Sequence, residues 1–79
     1  MSEGEETFIE FCKDVLGVFD TEVNMQTRPV EDLDISSFES MNLFSSLEDK
    51  YGVEMNMSEV VLVDTFQDLY DLIKSKQEV

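Results

Sequence analysis

The sequence predicts an all-α fold, a small bundle built on three main helices, and three observations carry the prediction. Apolar residues recur at spacings of three and four in stretches that begin at Phe8, Phe38 and Phe66, which gives each stretch one face to bury. Glycine follows the first two stretches directly, at Gly17 and Gly52, where a left-handed C-terminal cap costs that residue little. No strand pattern offers a sheet surface, so the helical faces must be buried against one another.

Taken in order, residues 1–4 read as a frayed start and the first helix as 5–16. Phe8, Phe11, Cys12, Val15 and Leu16 mark its inner face, with Glu10, Lys13 and Asp14 between them. Residues 18–34 are too many for a tight turn, and Pro29 pushes the residue before it toward extended backbone. The expectation is a long loop that lies on the helices through Phe19, Val23, Met25, Val30 and Leu33. The next helix spans 37–51, with Phe38, Met41, Leu43, Phe44, Leu47 and Tyr51 mostly on one side. Ser36 and Glu39 have the spacing of a capping box, which makes Ser36 the N-cap. Ser37 then falls in the first turn beside unpaired N–H groups, where a helix start favours a phosphate by about 0.3–1 kcal/mol. Ser58 can cap a brief helical turn through Val61, although the residues alone define only a structured loop there. Thr65 caps the last helix, whose inner face is Phe66, Leu69, Tyr70 and Ile73 and whose end carries Lys74 and Lys76 against the dipole.

Composition narrows the function. A chain of 79 residues is read as one domain over 1–79, burying roughly 60–65% of the surface its unfolded form exposes. With 19 acidic and 5 basic residues the net charge is −14, a field that repels nucleic acid and anionic membranes and attracts basic protein patches. There is no histidine and a single cysteine, which removes the usual zinc ligands, the Ser/His and Cys/His nucleophilic pairs and any internal disulfide. Cys12 lies in an apolar stripe and reads as a small core residue. An EF-hand loop of D-x-D-x-D-G form is absent. The expectation is a non-enzyme. The acidic, polar start is unlike a signal peptide and no apolar run nears about 20 residues, which points to the cytoplasm; the further expectation is a monomer.

The run Val30-Glu31-Asp32-Leu33, then Ser37-Phe38, Leu43, Leu47 and Glu48-Asp49-Lys50-Tyr51 resembles the prosthetic-group site and second helix of acyl carrier proteins. Leu16-Gly17-Val18, Glu22-Val23 and Gly52-Val53-Glu54-Met55 extend the resemblance over nearly the whole chain. It implies an acyl-carrier-like bundle in which the 58–61 segment is a short helix besides the three main ones. It implies that Ser37 takes a 4′-phosphopantetheine from coenzyme A through a phosphopantetheinyl transferase. The arm then holds acyl groups as thioesters for acyl-transferring or condensing enzymes of fatty acid, polyketide or related biosynthesis. Glu39, Met41, Glu48 and Asp49 match partner-binding places that meet basic patches, and Met41 and Val63 match places at the arm and acyl pocket. The chain departs from the family pattern at the site: Ser36 stands for Asp, Phe38 for Leu and Asp34 for Gly, while on the helix Asn42 replaces a common Glu and Ser45 a common apolar residue. The alternative is an unmodified carrier-like module that binds a basic partner through the acidic helix.

Overall fold

Two helices stop where the glycines stand. The structure is a computed structural model describing residues 3–77. In it α1 (Glu3–Leu16) is followed by Gly17 at φ 68° and α3 (Ser37–Tyr51) by Gly52 at φ 67°. Both lie in the left-handed region, where a side chain would be strained. The Gly52 N–H donates to the Glu48 carbonyl at 2.8 Å and the Val53 N–H to the same oxygen at 3.2 Å, closing the end of α3. The remaining elements are α2 (Pro29–Asp32), α4 (Met57–Val60) and α5 (Phe66–Gln77). Helix is thus the only regular structure among the described residues.

The core is where the inner faces of α1, α3 and α5 meet. Phe8, Ile9 and Cys12 come from α1, Leu43 and Leu47 from α3, and Phe66, Leu69 and Ile73 from α5. Phe8 sits at the centre, its ring 5.1 Å from Tyr70, 6.3 Å from Tyr51 and 6.3 Å edge-on from Phe66. Aromatic pairs at such offset and tilted geometries add about 0.5–1.5 kcal/mol each to their burial. Burial pushes the Cys12 thiol up to about 12, so the cysteine is a small core residue as expected.

The long segment between α1 and α3 does more than cross the bundle. Val23 and Met25 join the core, and Asn24 and Thr27 close a turn between them in which the Thr27 N–H donates to the Asn24 carbonyl and the Thr27 hydroxyl accepts from the Asn24 N–H. That turn presents the Thr27 and Met25 carbonyls to the start of α5, where they accept from the N–H groups of Phe66 at 3.1 Å and Gln67 at 2.7 Å. Two of the orphan donors of α5 are thereby satisfied from a distant loop.

Several expectations need correction. α1 takes in Glu3 and Gly4, which the sequence leaves in a frayed start; Met1 and Ser2 lie outside the described residues. Within the long loop Pro29 opens α2, because its fixed φ suits a first helical position. Phe19 and Val30 are exposed rather than anchored, and Ile35, which the periodicity passes over, is buried. The short helix is capped by Asn56, whose side chain accepts from the Glu59 N–H, and Ser58 lies inside it. Phe38 and Met41 do not join the inner face of α3: they are 79% and 67% exposed.

Candidate functional site

At the start of α3 two adjacent serines have different environments. Ser36, with extended backbone, accepts from the Glu39 N–H at 3.1 Å through its hydroxyl, while its own N–H donates to Glu39 Oε1 at 2.9 Å. Both halves of the capping box are formed, and the Ser36 hydroxyl is engaged. Ser37 is the first helical residue and is exposed. Its hydroxyl has no hydrogen-bond partner among the described residues. The N–H groups of the first turn that the cap does not use face outward with the positive end of the helix dipole. A phosphate ester on Ser37 would sit where both favour negative charge.

Asp34, three residues earlier, has φ 52°. The turn into α3 therefore asks for left-handed backbone at this place. Aspartate tolerates that conformation better than most residues, but glycine adopts it at least cost. The glycine expected here by resemblance has a geometric reason, and this chain meets the same geometry with aspartate.

The other site residues spread along α3 and beyond. Glu39 holds the Ser36 N–H. The Glu48 carboxylate is half-buried and accepts from the Met55 N–H at 2.8 Å, tying the segment after Gly52 to α3. Asp49 is exposed and has neither hydrogen bond nor ion pair among the described residues. Met41 is exposed on the same helix as Ser37. Val63 packs on the core from the loop before α5 and lines a groove between α4 and α5 whose lining does not include Met41. Sequence reasoning missed the exposed Phe38, next to Ser37, and the exposed Met57, Val61 and Leu62 around α4. Periodicity finds apolar residues but is silent on which of them a short helix leaves outside. No group of three or more metal-ligating side chains exists among the described residues.

The geometry thus places an exposed serine hydroxyl at the head of α3 in a bundle of three long helices. Over residues 6–73 the chain matches the family described as phosphopantetheine attachment site, and it belongs to that family of acyl carrier proteins. It is 32% identical over 72 residues to the polyketide-8 synthase acyl carrier protein 2 of Streptomyces avermitilis, covering 91% of this chain and 83% of that one. It is 31% identical over 69 residues to the acyl carrier protein of Clostridium acetobutylicum, covering 87% and 90%. The fold is similar to the solution structure of a holo acyl carrier protein from Geobacter metallireducens, with a TM-score of 0.79 at 22% identity over 92% of this chain and 84% of the other. Members of the family are carriers rather than enzymes, and their prosthetic group is a covalent 4′-phosphopantetheine. They work with phosphopantetheinyl transferases and with biosynthetic enzymes. Among the described residues no helix is long and apolar enough to cross a membrane.

Proposed function

We propose that Ser37 is the attachment residue and that the chain is a discrete cytoplasmic carrier. Its arm holds acyl groups as thioesters for acyl-transferring or condensing enzymes of fatty acid, polyketide or related biosynthesis. The observation that carries the assignment is the division of labour between the serines: Ser36 is occupied as the cap and Ser37 is free and exposed. The hydroxyl that meets an incoming phosphate is then Ser37 Oγ, and the residual N–H groups of the first turn hold the phosphodiester there.

Partners dock along α3 on this reading, with Glu39, Glu48 and Asp49 meeting Lys/Arg patches and Met41 adding an apolar contact. Such pairs act mainly on association rate and partner choice. The carboxylates differ in what else they do. Glu39 and Glu48 also hold backbone N–H groups, whereas Asp49 has no second task. Asp49→Lys is the clean probe of docking: it slows association with a cognate enzyme without lowering the melting temperature. Val63 and Met41 are assigned to the acyl pocket and the arm.

Intact mass over time, with coenzyme A, magnesium and a broad-specificity transferase, tests the attachment. Ser37→Ala abolishes the gain of the arm, Ser36→Ala loses about 0.5–2 kcal/mol of stability yet is still modified, and Ser36→Asp is modified faster than the parent. Arm attachment to Ser37→Ala overturns the assignment of the residue. A parent and a Ser36→Asp variant that neither this transferase nor one from the native host modifies overturn the carrier reading for this chain.

A further inference from the structure

Leu62, in the loop after α4, is 81% exposed, more than any other large apolar side chain of the described residues. It does not stand alone. With Val63 and Leu72 it supplies the apolar part of the lining of an open groove of about 450 Å³ between α4 and α5, and the rest of the lining is acidic: Glu59, Asp68 and Asp71. Val63 is also assigned to the acyl pocket, whereas Glu59, Leu62, Asp68, Asp71 and Leu72 have no role at Ser37 or on the docking face of α3.

The lining is held in place from both ends. Glu59 pairs with Lys76 of α5 at 2.8 Å, which fastens α4 to the far end of α5. Asp68 accepts from the N–H groups of Asp64 at 3.1 Å and Thr65 at 3.2 Å, which fastens the intervening loop to the start of α5. Lys76 partners Glu59, and Asp71 bonds only the neutral Gln67 amide at 2.9 Å. Asp68 has no cation within ion-pair distance among the described residues, and neither has Asp71. The groove is therefore preformed, with apolar and unpaired negative groups side by side in its lining.

We propose that this groove is a second docking surface, and that its occupant is a basic amphipathic segment of a partner protein. One apolar side chain of that segment lies on Leu62, Val63 and Leu72, and flanking Lys or Arg meet Asp68 and Asp71. Charge complementarity selects this occupant: the acidic lining repels an anionic partner or a second copy of a chain carrying −14, and the exposed leucine supplies contact area that a purely polar partner would not use. A segment tethered to a larger enzyme would gain effective concentration from engaging here while the α3 face is occupied.

The test uses protein without the arm, so its outcome does not depend on Ser37. The probe is a short synthetic peptide with two leucines flanked by lysines, titrated into nitrogen-15-labelled protein and followed by amide shifts. A control peptide with the leucines replaced by serine keeps the charge. The leucine peptide shifts amides of 59–63 and 68–72 selectively, and the serine peptide does not. Leu62→Ser, at a position too exposed to upset folding, weakens binding about tenfold, and Asp71→Asn lowers its salt dependence. Shifts that centre on 37–51, that are the same for both peptides, or that survive Leu62→Ser overturn the proposal, as does the absence of binding. Concentration-dependent self-association that Leu62→Ser removes would assign the groove to a second copy instead.

Discussion

Asp34 shows how a single residue can satisfy a backbone it does not favour. Its φ of 52° is tolerated by aspartate, whereas a β-branched side chain there is a genuine outlier. Asp34→Val is expected to cost about 1–2 kcal/mol in chemical denaturation, the order of the left-handed penalty for an L-residue. Asp34→Gly should fall within about 1 kcal/mol of the parent, because relief of strain is offset by the entropy glycine adds to the unfolded chain. The sequence shows that Asp34 stands where carriers commonly have glycine, but dihedral angles are needed to say what the position demands. The neighbouring serines were more legible, since the capping box is written in local spacing and both of its hydrogen bonds are present.

Among the elements, α4 is the one held least by burial. It has four residues and none of them is buried. Its position depends on the Asn56 cap and on the Glu59–Lys76 pair. The ammonium of Lys76, followed by the Asn56 N–H, holds the Glu59 carboxyl below its ordinary range. A carboxyl lowered in this way stabilises the folded state above its unfolded pKa, and the contribution is lost as pH falls through the lower folded value. Hydrogen-exchange protection at 57–63, taken relative to the intrinsic exchange rate at each pH, should therefore fall on acidification from pH 6 toward pH 3, and Glu59→Gln should remove much of that change. A uniform loss of protection across α1 and α5 would instead report global unfolding. The long helices were readable because each repeats an apolar pattern over three turns or more. α2 and the true start of α4 were not: a four-residue helix has no period, and Pro29 signals a helix start as readily as an extended turn. The capping of α5 by Met25 and Thr27 is likewise hidden, since its acceptors come from a distant loop.

For the whole molecule, four of the five cations are already committed, and Lys13 is the exception among the described residues. Arg28 bridges Glu31 and Asp64, Lys76 holds Glu59, and Lys50 and Lys74 lie over the rings of Phe11, Tyr51 and Tyr70 at 5.0 to 6.0 Å. Most carboxylates are left facing one another across solvent, a repulsion that extends over about 8 Å at physiological ionic strength. Sodium chloride should raise the melting temperature of the isolated protein, and the rise should be largest at low salt, where screening changes fastest. A flat or falling melting temperature would mean that these local pairs already balance the excess charge. On the proposed docking along α3, the same field would speed encounter with a basic enzyme.

The buried Cys12 bears on how a loaded carrier handles sulfur. Its thiol is pushed up to about 12 and has no accessible surface, so it offers almost no thiolate to attack a neighbouring thioester or to trap an arm as a mixed disulfide. Acyl groups cannot leak onto the protein that transports them, and oxidants find no second sulfur with which to short-circuit the arm. Maleimide labelling of the folded protein then becomes a count of occupancy, with no label on a bare chain and a single label on one whose arm is free.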